Sequence, residues 1–320
     1  MGMVRLVAAA LALLWAGAAS AQTYPNRPIR LVVPFAPGGN LDIMARTVAE
    51  PMSKRLGQTV VVENRAGAGG VIGAEAVSAA TPDGYTIAAV STGTLLVSPR
   101  LVAKTPYAAD NFAAVGMISV TPMLLAVPAA SRFADYRALA AFLRDNPGKL
   151  SVGHAGNGST NHIALMRLQA VANMQFTVIP YRGSGPALND LIAGQIDAIM
   201  DQVSSSLPHV RGGKSRALAV TTATRVADLP DVPTLAELGL TGFEAVTAVG
   251  LVAPANTPPT VIATLNAALN AALTDPAVAK RIAELGASPR PMLPEGFAAY
   301  VKAEADAIEP LFKAGVLKPE

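Results

Sequence analysis

The feature that most restricts the fold of this chain is a regular alternation of short β-branched runs with helical patterns. Residues 29–33, 60–63 and 86–90 are apolar runs typical of strands. Between them, residues 40–56 and 70–80 show helical spacing. In the first of these, apolar side chains recur at three- and four-residue steps: Leu41, Met44, Ala45, Val48, Met52 and Leu56. This βαβαβ order predicts a mostly parallel sheet with helices on both faces.

The pattern restarts after the apolar stretch 123–127. Further strands are predicted at 149–153, 176–180, 196–200 and 217–220, with helices at 161–171 and 187–193. Beyond 243–253 the chain is predicted to be helical, at 258–273, 277–285 and 294–311. A chain of this length usually divides into two domains. We therefore expect an α/β fold of two lobes, the first formed by 24–124 and 243–320 and the second by 125–242. The two crossings between lobes suit a hinge, and the gap between them suits a ligand.

The first 21 residues have the form of a cleavable export signal. Arg5 precedes an apolar segment at 6–18, and Ala19-Ser20-Ala21 is a small-x-small cleavage motif. Cleavage after Ala21 would leave Gln22 as the first residue. The alternative is an uncleaved membrane anchor, but a spanning helix needs about 20 apolar residues and this run is shorter.

Composition and motifs exclude several function classes. The 25 Lys and Arg residues are scattered and aromatic residues are few, so no nucleic-acid surface is expected. The chain has no cysteine, and its three histidines form no metal-ligand pair. The Gly-x-Ser-x-Gly elbow is absent, the P-loop match at 213–215 lacks its first glycine, and the dinucleotide-like loop at 67–73 has a displaced third glycine. We expect no catalytic residue, no metal and no cofactor.

The loop at 34–42 is the strongest candidate for an anion site. It joins a strand to a helix, and Gly38 and Gly39 allow backbone N–H groups to approach a ligand. Asn40 is a candidate N-cap, and Asp42 falls in the first helical turn. The alternative is an ordinary strand–helix turn with a capping residue.

Similar loops follow other predicted strands, each with a structural alternative. Small hydroxyl residues at 91–94 suit a carboxylate or a simple turn, and the loop at 155–162 again precedes a helix. His162 would orient a loop, donate to ligand, or serve as a cap. Asp201 would accept from a ligand ammonium or hydroxyl, or brace a loop. The candidate ligand-binding residues in these segments are Ser91, Thr92, Gly93, Thr94, Ala155, Gly156, Gly158, Ser159, Thr160, His162 and Asp201.

With these loops identified, the chain resembles the tripartite tricarboxylate transporter substrate-binding family, also called the Bug receptors. The resemblance spans nearly all of the chain after the signal. It is carried by the motifs YPxRPIR (24–30), VPFAPGGxxD (33–42), VENRxGAGG (62–70), PDGYT (82–86), AGxGS (155–159), PYxGSGPA (180–187) and LPDVPT (229–234).

The resemblance implies a periplasmic, two-lobed binding protein of type II-like fold, with a hinge between lobes. It implies a small carboxylate ligand, which in some members is an amino acid or an aromatic acid, and the sequence leaves that choice open. It also implies a pincer formed by the loops 35–42 and 155–162, and permease subunits of a tripartite tricarboxylate-type transporter as partners. A sensory receptor without a dedicated permease is the alternative, and an exported enzyme is a third class. A monomer is expected. In this pincer Phe35 would contact the ligand body, the Gly39 and Asn40 amides would bind it, and Asp42 would brace the loop. By the same resemblance, residues 91–94 would line the first lobe and residues 158–160 would complete the pincer. The distal pocket would be shaped by Tyr181, Gly183 and Asp201.

One position departs from the family pattern. Between Gly39 and Asp42 many relatives carry small residues, whereas this chain has Asn40 and Leu41. Leu41 either faces the core or narrows the pocket, which leaves the size of the ligand open.

Overall fold

The computed structural model of the chain describes residues 24–318, so the predicted export signal at 1–21 lies outside the described residues. The strands are β1 (Ile29–Val33), β2 (Val60–Asn64), β3 (Thr86–Ser91), β4 (Phe112–Pro128), β5 (Ser151–His154), β6 (Thr177–Pro180), β7 (Ala198–Gln202), β8 (Ser215–Val220), β9 (Val246–Pro254) and β10 (Ser288–Pro289). The helices are α1 (Asn40–Leu56), α2 (Val71–Ser78), α3 (Ser98–Leu101), α4 (Tyr136–Asp145), α5 (Thr160–Ala172), α6 (Ser184–Ile192), α7 (Val203–Arg211), α8 (Pro259–Thr274), α9 (Pro276–Glu284) and α10 (Pro294–Lys313).

These strands form one curled sheet in the order β2-β1-β3-β9-β4-β7-β5-β6, with β8 and β10 also paired to β4. The pairs at the two ends, β2-β1-β3 and β7-β5-β6, are parallel, as the alternating sequence pattern predicts. The centre is antiparallel, because β9 and β4 run back through the molecule between the two parallel sets. Helices cover both faces, which gives the two-lobed α/β architecture.

Strand β4 belongs to both halves of the sheet. Its first part pairs with β9 as far as Pro122, and its second part pairs with β7 and β8 from Met123 onward. The chain returns beside this point, where the Ala245 N–H donates to the Thr221 carbonyl before β9 begins. The two crossings between halves are therefore adjacent strands.

Each half has its own apolar core. In the first half, α1, α8 and α9 pack on the β1-β3-β9 face, and Leu41 is buried among these residues. In the second half, α4 and α5 cover one face, and α6 and α7 cover the other. Within residues 24–318 no single helix is long and apolar enough to cross a bilayer, and α8 with α9 reach that length only as a pair bent by 72°.

Three helices fall outside the predicted pattern: α3, which has only four residues, α4 and α7. Helix α4 begins after Asp135, whose carboxylate accepts from the Ala138 amide, and it buries Tyr136, Leu139 and Leu143 at helical spacing. Helix α7 contains Pro208 and three consecutive serines, which are poor helix formers. Burial of its first turn between the two halves, rather than intrinsic propensity, accounts for α7.

Candidate functional site

A small cavity lies where the two halves of the sheet meet. Its wall combines residues from both halves: Phe35, Gly39, Asn40, Leu41, Ser91, Ala155, Ser159, Thr160, Asn161, Ser184 and Gln202. The space open to the centre of a water molecule is about 20 Å³. That is room for about one water. The two predicted pincer loops therefore line one cavity.

The first element at the cavity is the start of α1. Gly38 has a left-handed φ of 85°, and its N–H donates to Asp42 Oδ2 at 3.0 Å. Asp42 Oδ1 accepts from Arg46 Nε and Asn64 Nδ2, both at 2.9 Å. The buried Asp42 carboxylate thus braces the loop. The prediction that Asn40 is the N-cap is wrong, because Gly39 occupies that position and Asn40 is the first residue of the helix. The amides of this first turn, beginning with that of Asn40, have no intrahelical acceptor and are available to a ligand.

The second element is the start of α5, which two histidines hold in place. Ser159 is the N-cap and accepts from the His162 amide at 3.3 Å, while His162 Nδ1 accepts from Gly158 N–H at 3.2 Å. His154 Nδ1 accepts from Gly156 N–H at 3.1 Å, and the two imidazole rings are stacked with centroids 4.8 Å apart. Burial, together with the neighbouring His162, lowers the pKa of His154 to about 3. Of the roles predicted for His162, the geometry supports loop bracing, since its Nδ1 accepts from the Gly158 N–H and the residue lies outside the cavity wall.

The third element is the start of α6, at the loop 181–186. The Arg182 carbonyl accepts from the Ala36 N–H at 2.9 Å, so a backbone hydrogen bond joins this loop to the α1 loop of the other half. Gly183 lies against Phe35 and Ala36, and Ser184 forms part of the cavity wall. The Tyr181 hydroxyl donates to Asp190 at 2.8 Å, and Tyr181 does not line the cavity.

The back of the cavity is a network centred on Gln202. Its Nε2 donates to Asn161 Oδ1 and to Thr247 Oγ1, each at 2.9 Å, and the Thr247 and Thr160 hydroxyls lie 2.8 Å apart. Neighbouring side chains of a strand point to opposite faces. Gln202 therefore faces the cavity, whereas Asp201 points away from it.

Asp201 is fully buried behind the wall. Its Oδ2 accepts from the Ser205 and Ser206 hydroxyls at 2.6 and 2.7 Å. Burial raises the pKa of this carboxyl group despite those bonds. Asp201 thus has the structural role among the predicted alternatives, although its Oδ2 partners lie in the first turn of α7 and not in a loop. Sequence reasoning missed Asn161, Ser184 and Gln202. The sequence signal that could have identified them is their position: Asn161 begins a predicted helix, Ser184 lies just before another, and Gln202 lies just after a predicted strand.

The predicted site residues of the segment 91–94 do not all line the cavity. Ser91 lines the cavity and is 3.2 Å from the Thr94 hydroxyl, which lies behind it. Gly93 packs against the backbone of residues 158–160, on the opposite half. Thr92 lines a separate cleft of about 460 Å³ that also includes Arg167 and Glu304.

A wider groove of about 740 Å³ lies between α1 and the α8–α9 pair, on the outside of the first half. It is open to solvent and bordered by charged side chains such as Lys54 and Arg281. None of the predicted loops reaches it. The small cavity between the halves is therefore the better candidate site, although it is the smaller space.

The chemistry available in the cavity is hydrogen-bond donation. Its wall contains no Lys, Arg, Asp or Glu. Instead, three helices begin there, and each presents unpaired N–H groups and the positive end of its dipole. Across residues 24–318 no group of three or more His, Cys, Asp and Glu side chains is placed to hold a metal ion. Such a site suits an anion.

Sequence comparison gives a consistent result. A family model described as tripartite tricarboxylate transporter family receptor matches residues 44–315. The chain is 44% identical to the UPF0065 protein in the tcbD-tcbE intergenic region of Pseudomonas sp. (strain P51), over 88% of this chain and 84% of that protein. It is 39% identical to protein BugT of Bordetella pertussis, over 90% of each.

Solved structures of similar fold are periplasmic binding proteins. The structure of periplasmic binding protein BugD is 37% identical, covers 93% of this chain and 100% of its own, and superimposes with a TM-score of 0.89. MatC from Rhodopseudomonas palustris with bound malate is 36% identical, with 92% and 100% coverage and a TM-score of 0.86. R. palustris Rpa4515 with adipate is 32% identical, with 93% and 100% coverage and a TM-score of 0.89. A ligand-free TctC solute binding protein from Polaromonas is 27% identical, with 91% and 100% coverage and a TM-score of 0.61.

Proposed function

We propose that this chain, which belongs to the tripartite tricarboxylate transporter receptor family, captures a small carboxylate in the cavity between its two lobes and catalyses no reaction on it. One observation carries the proposal: the starts of α1, α5 and α6, from both halves of the sheet, open onto a single cavity whose wall has no basic side chain. Backbone amides then hold the carboxylate, and the helix dipoles stabilise its charge. Malate and adipate in the two R. palustris relatives support this class of ligand.

We further propose that the lobes comprise 24–124 with 243–320, and 125–242, and that they move about β4 and β9. The change of β4 from one set of partners to the other after Pro122 supports this division. The high TM-scores to the malate and adipate complexes, against 0.61 for the ligand-free Polaromonas protein, support a closed arrangement here. Because the cavity holds about one water, a ligand must enter an open form, and closure around the ligand must leave a wider space between the lobes than the one described here.

We also propose that the protein is exported to the periplasm as a monomer after cleavage of residues 1–21. There it would deliver its ligand to membrane permease subunits of a tripartite tricarboxylate-type transporter. The periplasmic binding proteins among its structural relatives support that location. Intact-mass measurement of protein recovered from the periplasm tests the processing step. A first residue other than Gln22 would contradict the predicted cleavage site.

A calorimetric binding panel tests the central claim. We expect at least one acid among small mono-, di- and aromatic carboxylates to bind and to raise the melting temperature, since a ligand specific for the native state stabilises it. The matching neutral amides serve as controls and should not bind, because they lack the charge. If no carboxylate binds and native mass spectrometry of gently purified protein finds no retained acid, the proposal is wrong.

Membrane partners are tested separately. Affinity capture from solubilised membranes, with and without the bound acid, should retrieve permease subunits preferentially with the acid-loaded form. Retrieval of a signalling protein in their place would favour the sensory alternative and would contradict the transport assignment.

A further inference from the structure

We propose that the cavity accepts small carboxylates that carry no ammonium group, and that the Asn40 carboxamide is its side-chain donor to the ligand. This inference rests on the proposed function and narrows its ligand class. It separates hydroxy and unsubstituted acids from amino acids of the same size.

The orientation of Asn40 is set by two hydroxyl groups. Its Oδ1 accepts from Ser204 Oγ at 2.7 Å and from Thr121 Oγ1 at 3.1 Å. Neither hydroxyl has another acceptor among the described residues. Exchanging the amide nitrogen and oxygen would leave both hydroxyl protons and the oxygen unsatisfied, so this orientation is the favoured one.

The other end of the carboxamide is unsatisfied. Asn40 is 2% exposed and lines the cavity, yet its Nδ2 has no hydrogen-bond partner in the described part of the chain. A buried donor without an acceptor costs free energy, and native structures rarely retain one without a reason. A ligand oxygen in the cavity supplies the missing acceptor.

An ammonium group finds the opposite conditions. The carboxylates of Asp42 and Asp201 are committed to groups behind the wall, and no acidic side chain lines the cavity. The neutral oxygen of Gln202 accepts from Asn161 Nδ2 and Ser184 Oγ, both at 3.4 Å, and cannot neutralise a positive charge. Three helix N-termini add further positive potential. An ammonium would therefore lose its hydration without gaining a counter-charge.

A substitution at Asn40 can separate a role as a hydrogen-bond donor to the ligand from a purely structural role. Asp at this position has nearly the same shape and keeps an oxygen for the hydroxyls of Thr121 and Ser204. It replaces the Nδ2 donor by a negatively charged oxygen. The substitution Asn40→Asp therefore preserves the internal anchor while inverting the group offered to the ligand.

The test compares acids that differ only in a hydroxyl or an ammonium group: malate with aspartate, lactate with alanine, 2-hydroxyglutarate with glutamate, and mandelate with phenylglycine. Calorimetry on the wild-type protein at pH 7.5 should give the best-bound hydroxy acid an affinity about 100-fold or more above its amino partner. Asn40→Asp should weaken that hydroxy acid by about 100-fold and the amino acid much less, so that the ratio narrows. Circular dichroism and the melting temperature of the free variant show whether it is folded.

Equal affinity for the two members of the best-bound pair would overturn the inference and leave the proposed function intact. A ratio unchanged in Asn40→Asp would mean that Asn40 only supports the loop, which would also overturn it. If these eight compounds and the wider carboxylate panel all fail to bind, the proposed function itself is wrong, and the inference falls with it.

Discussion

Replacement of Gly185 by alanine tests whether the two lobes close as the structure describes. Gly185 lies in the first turn of α6, in the second half of the sheet, with a φ outside the left-handed region. A Cβ atom at this position would lie 2.2 Å from the Pro37 carbonyl oxygen of the other half. The substitution is thus acceptable to its own helix and collides only with the opposite lobe.

The size of the effect follows from that distance. Non-bonded heavy atoms prefer to be about 3.5 Å or more apart, so the lobes would have to separate by roughly 1 Å. Overpacking of this kind costs about 1–3 kcal/mol. A penalty confined to the closed form lowers ligand affinity by about 5- to 150-fold. The open form has no such collision, and alanine in a helical conformation should stabilise it by about 0.4–1 kcal/mol.

Two measurements on the same variant therefore move in opposite directions. Calorimetry should show weaker ligand binding by Gly185→Ala, while the melting temperature of the ligand-free protein should stay level or rise slightly. Gly296→Ala in α10 is the matched control, because its Cβ would meet nothing closer than 3.6 Å, and it should leave affinity unchanged. Wild-type affinity in Gly185→Ala would refute the idea that the liganded protein adopts this lobe contact.

Two further substitutions address the loops behind the cavity. Asp42→Ala should lower the free energy of unfolding by about 1–3 kcal/mol and weaken ligand binding, because the Gly38 amide loses its acceptor; urea unfolding measures the first effect and calorimetry the second. His154→Gln should make stability less sensitive to acid. The pKa of His154 is about 3 in the folded protein and near 6.5 in the unfolded chain, so the unfolded state binds the extra proton, and wild-type stability should fall by about 2–3 kcal/mol from pH 7 to 4.5 on this account. Asp201, with its raised pKa, acts in the opposite direction in both proteins, so the difference between their urea midpoints is the relevant quantity; an equal decline in both would contradict the assignment.

The sequence predicts the outer parts of the fold well and its centre poorly. Strand β1 and helix α1 have the bounds that their apolar spacing indicates, because local periodicity determines them. The apolar run at 123–127 is only the end of β4, which has 17 residues. Its pairing with β9 connects residues more than a hundred positions apart. No local pattern contains that information.

In the candidate site, too, some features can be predicted from local sequence and others cannot. The start of α1 is predictable because strand, glycines and helix follow one another in the chain. The choice between Asp201 and Gln202 is not, because adjacent residues at a strand end differ only in the face they occupy. The glycine-rich loop at 67–70 has a role that depends on the other half: a Cβ on Gly69 would lie 1.7 Å from the Asn157 carbonyl oxygen. Glycine at this position permits contact between the lobes, and the dinucleotide-like spacing has no part in it.

The proposed closure would couple lobe movement to anion binding through the same loops. An anion on α1 alone meets the donors of one lobe, and closure adds those of α5 and α6. Each hydrogen bond to a charged group contributes about 1.5–3 kcal/mol. Two or three such bonds from the second lobe contribute about 3–9 kcal/mol. That range includes the roughly 5.5 kcal/mol needed to move an open-to-closed equilibrium from 99:1 to 1:99. A ligand that leaves the donors of the second lobe unpaired binds the open and closed forms with equal affinity and does not favour closure. The lobe contact that Gly69 and Gly185 permit would therefore select anions with enough acceptor atoms to pair with the donors of both lobes.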